Sequence, residues 1–159
     1  MRIKYITRFI ALSVLVFISQ AGFAQKNEYK YEYLYKDLPF AMPKLSKPVF
    51  PDNQVSVADF GGVGDCVTLN SDAFEKAMDA LSKKGGGTLH VPTGVWYTGP
   101  IVFRSNINLH LDKGALILFS ADFSLYPLVN TVLEGLDTRR CQSPISGRNL
   151  QNIAITGEG

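Results

Sequence analysis

Between Thr88 and Ser120 the chain lays down five short apolar runs, each closed by turn-forming residues, with no helical segment between them. Leu89 and Val91 alternate before Pro92-Thr93-Gly94. Val95 to Tyr97 precede Gly99-Pro100, and Ile101 to Phe103 precede Arg104-Ser105-Asn106. Ile107, Leu109 and Leu111 alternate strictly before Asp112-Lys113-Gly114, and Leu116 and Leu118 alternate after it. A period of two bounded by Gly, Pro, Asn and Asp is the pattern of β-strands joined by tight turns. The lack of an intervening helix excludes a doubly wound α/β sheet, which needs crossover helices. Periodicity alone leaves two arrangements open, stacked parallel coils or an antiparallel sandwich. Gln151 to Thr156 resumes a strand, whereas residues 120–149, with Pro127, Gly135, Pro144 and Gly147, read as a long loop.

Just upstream lies the one clear helix. Asn70 is a plausible N-cap, and Asp72 and Glu75 suit the positive end of the dipole. Phe74, Ala77, Met78 and Leu81 form a single apolar stripe. Lys83 and Lys84 suit the negative end, and Gly85-Gly86-Gly87 stops the helix. Such a stripe is a packing surface. At the start of a β-stack it would shield an apolar end from water and from foreign strands. Before it, VADFGG (57–62) reads as a strand ending in a glycine turn.

The first 24 residues have the pattern of an export signal. Arg2, Lys4 and Arg8 precede the apolar run Phe9–Ile18, and Ala21-Gly22-Phe23-Ala24 supplies small residues for cleavage after Ala24. The run falls short of the ~20 residues that span a bilayer, so no membrane association is expected after removal. Removal takes three positive charges, and the formal net charge goes from +2 to −1. The basic balance therefore belongs to the signal, and nothing electrostatic favours nucleic acid as a partner. The expected location is periplasmic or extracellular. Residues 25–54 form a separate lead-in. Tyr29, Tyr31, Tyr33 and Tyr35 alternate as in an extended strand with an aromatic face, and Pro39, Pro43, Pro48 and Pro51 keep the rest extended. This segment is expected to cover apolar surface rather than to stack on a sugar.

Two cysteines, Cys66 and Cys141, would meet an oxidising compartment after export. The sequence leaves open whether they pair or stay as small thiols. His90 and His110 sit in strand-like runs without ligand spacing, so they are expected to be packed or surface residues, and neither a metal nor a cofactor is expected.

The order of these parts resembles the N-terminal region of glycoside hydrolase family 28, the polygalacturonase-like family of the pectin lyase-like superfamily. VADFGGVGD (57–65) resembles the family's opening strand and turn, and LNSDAFEKAMD (69–79) its capping helix. GGGTLHVPTGVWYTGPI (85–101) resembles the first coil and SNINLHLDKGALILFS (105–120) the next. YPLV (126–129), EGLDTRR (134–140), SPI (143–145) and NIAITGEG (152–159) resemble the approach to the active region. Cys66 departs from the pattern, standing where a small residue such as glycine is more usual. The resemblance implies an all-β, right-handed parallel β-helix with an N-terminal capping α-helix, here the cap and first coils over residues 55–159.

The same resemblance implies inverting hydrolysis of α-galacturonide linkages in pectin, an acidic plant polysaccharide. One carboxylic acid protonates the leaving oxygen while a second carboxylate activates water across ~6.5–9.5 Å. The family draws these groups from an Asn-Thr-Asp strand and an Asp-Asp pair, assisted by Gly-His-Gly and Arg-Ile-Lys segments. The first three do not occur in residues 1–159, and Arg-Ile-Lys occurs only as Arg2-Ile3-Lys4 inside the signal-like segment, so no catalytic residue is assigned. Asp59, Asp65, Asp72, Asp79, Asp112, Asp122 and Asp137 are expected to cap turns or face solvent. Arg139 and Arg140, in a Gly- and Pro-flanked loop with Glu134 to orient one of them, are the candidates for holding a sugar carboxylate. A surface ion pair is the competing role. A calcium-dependent pectate lyase and a non-catalytic, tailspike-like carbohydrate binder share similar caps and remain alternatives.

Overall fold

A computed structural model describes residues 32–43 and 47–159. The signal-like segment and Tyr29 and Tyr31 lie outside the described residues. Two compact units divide near Leu45. In the first, Glu32–Tyr35 form a 3₁₀ turn instead of the aromatic strand expected there. A lone strand has no ladder to satisfy its backbone, and a local bond from Lys36 N–H to the Tyr33 carbonyl is the nearest alternative. Tyr33 is exposed.

The second unit holds ten strands and one α-helix. Strand β1 is Gln54–Ser56, and helix α1 is Ser71–Lys83. The first coil is β2 (Gly87–Val91), β3 (Gly94–Thr98) and β4 (Ile101–Val102). Strands β5 (Ile107–Leu111) and β6 (Ala115–Phe119) open the second coil. A hairpin of β7 (Leu128–Leu133) and β8 (Leu136–Cys141) follows. Strand β9 (Ile145–Ser146) closes that coil, and β10 (Ala154–Gly157) begins a third.

Pairing is between coils. β1, β2, β5 and β10 form one parallel sheet in that order, β3 pairs with β6, and β4 pairs with β9, all parallel. Of the two arrangements open from periodicity, stacked parallel coils are the ones formed. The fold is a right-handed parallel β-helix, as the resemblance implied. The register stacks Val55, Leu89, Leu109 and Ile155 in one inward ladder, and Ser56, His90, His110 and Thr156 in the neighbouring outward one.

Helix α1 lays its stripe on this interior. Phe74, Ala77, Met78 and Leu81 are buried, in one cluster with Leu89, Leu109, Ile107 and Trp96. It meets β1, β2 and β4 and more lightly β5, which is the placement of a cap over the first coil. The turn from helix to sheet demands glycine. Gly86 and Gly87 have φ of +116° and +146°, and a Cβ on either would lie 2.2 Å from a backbone oxygen, of Asn106 and Asn53 respectively. Asn53 also donates from Nδ2 to the carbonyls of Lys84 and Gly86, satisfying the frayed helix end.

Several local expectations change. VADFGG is not a strand. Val57–Phe60 form a 3₁₀ turn, because Ser56 Oγ accepts the Ala58 N–H and Asp59 accepts the Ser56 N–H. Asn70 precedes the helix without a side-chain cap bond. It is buried, accepts the Val63 N–H, and donates to the carbonyls of Val63, Thr68 and Tyr97. In β6 the inward residues are Ala115, Ile117 and Phe119, opposite Gly94, Trp96 and Thr98, while Leu116 and Leu118 point out. The run ALILF is apolar on both faces, so only its partner decides. Residues 120–149 contain the β7–β8 hairpin rather than a continuous loop. Cys66 takes a φ of +69°, the conformation that explains a preference for glycine there, and its N–H still bonds the Val95 carbonyl at 2.8 Å.

Candidate functional site

The hairpin carries the arginines singled out from the sequence. Leu133 and Leu136 are its last pair, so Glu134 and Gly135 form a two-residue turn, with φ of +51° and +83°. Asn130 faces Arg139 and Val129 faces Arg140. Neighbouring strand residues point to opposite faces, so the two guanidinium groups serve two clefts. Arg139, with Asn130, Asp137 and Thr138, lines one of about 700 Å³. Arg140, with Val129, Gln142 and Ser146, lines another of about 770 Å³.

Glu134 stands at the tip and makes no ion pair with either arginine, so the orienting role expected of it is not what this geometry provides. Arg148 was missed by sequence reasoning. It borders both clefts, and its Nη2 donates to the Asn130 carbonyl, tying the hairpin to the coil body. No local pattern around Gly147-Arg148-Asn149 signals this; only the fold brings it beside β7. Arg139 and Arg148 line the first cleft with one carboxylate, Asp137, and Arg140 and Arg148 line the second with none, a balance of charge that suits an anionic ligand.

The aspartates behave as turn anchors. Asp65 accepts from the backbone N–H of Val67 and Thr68 and from the Thr68 hydroxyl. The Thr68 backbone bond is the largest influence, and together they hold the Asp65 carboxyl at about 2. Asp122 is lowered by the Ser124 hydroxyl and backbone N–H. A general acid for glycoside cleavage needs its affinity for the proton raised, so neither suits that task. Asp79 pairs with Arg104 at 2.9 Å. Tyr126 is pushed up by burial and by the neighbouring Tyr97, and its hydroxyl donates to the Ser120 carbonyl at 2.7 Å. Cys66 and Cys141 are both free and exposed.

A second group stands on the outer ladder. His90 and His110 are register partners, with ring centroids 5.2 Å apart at 64°. Asp112 Oδ1 lies 3.0 Å from His90 Nδ1 and 3.8 Å from His110 Nε2. The absence of ligand spacing in the sequence was a local argument. One turn of the coil sets the two histidines side by side.

No protein-family model matches the chain. A probable polygalacturonase of Vitis vinifera is 40% identical over 114 residues, covering 67% of this chain and 23% of that protein. The exo-poly-alpha-D-galacturonosidase of Dickeya chrysanthemi is 37% identical over 113 residues, covering 66% and 18%. The crystal structure of a hyperthermoactive exopolygalacturonase from Thermotoga maritima superposes with a TM-score of 0.65 at 42% identity, covering 70% of this chain and 25% of that one. The chain is homologous to the polygalacturonases of glycoside hydrolase family 28. This polygalacturonase homologue spans a quarter or less of the length of those three relatives. About two thirds of this chain is thus matched by sequence and by fold together.

Proposed function

We propose that this chain supplies the cap and first coils of an exported pectin-degrading glycoside hydrolase of polygalacturonase type, acting by inverting hydrolysis of α-galacturonide linkages. The observation that carries the reading is 40% identity over 114 residues to a probable polygalacturonase, in a chain whose strands stack as parallel coils. Residues 25–159 hold no Asn-Thr-Asp, Asp-Asp, Gly-His-Gly or Arg-Ile-Lys motif, so this piece alone is expected to be inactive. Its part in the reaction is to cap the stack and to present Arg139, Arg140 and Arg148 to the carboxylates of the polymer. The signal-like residues 1–24 support export to the periplasm or beyond.

The test is to read the frame after Gly159, express its product, and assay polygalacturonate. Release of reducing ends with inverted anomeric configuration supports the proposal. Calcium-dependent formation of unsaturated ends identifies a lyase instead. Binding without cleavage identifies a carbohydrate-binding β-helix. In the active product, Arg140→Ala is expected to weaken galacturonide binding, since a charged hydrogen bond contributes about 1.5–3 kcal/mol. Unchanged affinity removes Arg140 from the binding surface.

A further inference from the structure

We propose that His90, His110 and Asp112 form a binding site for one divalent transition-metal ion of the zinc class, clipping adjacent rungs together on the outer face of the β2–β5 sheet. Their ligand atoms all lie within 4.8 Å of one another. The side chains are 31%, 34% and 39% exposed, so an ion can reach them from solvent. Ligand atoms that share a zinc ion at bond lengths near 2.0–2.2 Å stand about 3–3.5 Å apart. The 3.0 Å and 3.8 Å separations bracket that range, and small side-chain rotations close the longer one.

The tautomer of His110 points the same way. The Thr156 hydroxyl donates to Asn108 Oδ1 at 3.0 Å. Its single proton is then used, so at 2.8 Å it accepts the Nδ1–H of His110. In the neutral ring the lone pair is then on Nε2, 3.8 Å from the Asp112 carboxylate oxygen. A cation placed between these two electron-rich atoms would be held by both. A hydroxyl holding the far ring nitrogen is also the outer-shell arrangement that orients metal-ligating histidines. His90 now donates from Nδ1 to Asp112. Metal binding moves that proton to Nε2 and frees the Nδ1 lone pair. Two imidazoles and one carboxylate select zinc, cobalt, nickel or copper over calcium or magnesium, and leave a coordination position for water.

The test uses the full 159-residue chain, untagged, with Cys66→Ser and Cys141→Ser so that exposed thiols do not compete. Titration with ZnCl2 near pH 7.5 is expected to show one site per chain. Co2+ is expected to give visible d–d absorption without thiolate charge transfer, and ZnCl2 but not MgCl2 to raise the melting temperature. Thr156→Val is expected to weaken zinc affinity roughly 10–100-fold while leaving the melt in EDTA unchanged. His110→Gln and Asp112→Asn are expected to abolish the one-to-one site in a chain whose circular dichroism stays native. No zinc uptake by the folded protein overturns the proposal. Equal uptake by His110→Gln and Asp112→Asn also overturns it, as does an unchanged affinity in Thr156→Val.

Discussion

Single side chains fix the turns on which the coils hang. Asn70 is buried and spends its amide on four backbone groups from three positions of the chain. Asn70→Ala leaves the Val63 N–H and the Val63 and Thr68 carbonyls without that partner, while the Tyr97 carbonyl keeps the N–H of residue 70; at about 1–3 kcal/mol for each lost partner, the expected loss exceeds 2 kcal/mol in denaturant unfolding. The buried indole of Trp96, the chain's one tryptophan, is a convenient reporter, with Nε1 donating to the Pro92 carbonyl at 2.7 Å. Asp65 gives a pH-dependent term. Its carboxyl is held at about 2, below its ordinary value of 3.8, so the folded state binds its proton less readily than the unfolded state. Its stabilising contribution is present above the unfolded value and is lost as pH falls through the folded one. Asp65→Asn should therefore flatten the fall in melting temperature between about pH 4 and pH 2. An identical acid limb in wild type and variant counts against the Asp65 turn.

Among the elements, α1 was the easiest to read from sequence, because capping residues, stripe and glycine stop agree on one answer. Phe74→Ala is expected to cost about 3–5 kcal/mol by opening a cavity between helix and coils, measured as a shift of the denaturation midpoint. The coil strands were visible through alternation, but which strands pair was not. An inward Leu89 reads the same whether its neighbour is Leu109 in a parallel coil or a residue across a hairpin. The β7–β8 hairpin was missed for a related reason. LVNTVL and LDTRRC lack clean alternation, since both faces are largely exposed, and Glu134-Gly135 is not the Asn-Gly or Asp-Gly that announces such a turn. Arg139 and Arg140 were found as cations in a polar stretch. Arg148 and the paired histidines depend on contacts between distant positions and leave no local trace.

Residues 47–159 form a stack with one end covered by α1 and the other, at β10, open. Beyond β10 the parallel sheet has an unpaired edge, and Ile155, on the inward ladder, remains 55% exposed. Nearby an apolar hollow of about 500 Å³ is lined by Phe103, Ile145, Leu150, Ile153 and Ile155. An edge of this kind templates pairing with another chain. The isolated 159-residue chain is expected to self-associate as concentration rises, seen by sedimentation. A sharp, concentration-independent melt of a monomer would contradict this.

The hairpin leaves the stack after β6, and the chain rejoins it at β9, where Ile145 takes its place against Ile101. That closure is made by β9 on β4 and by the Ile101 N–H on the Pro144 carbonyl, not by β7 or β8. The segment from Leu128 to Cys141, whose strands pair only with each other, is therefore the part of the chain that can change length or side chains while the rungs beneath keep their order.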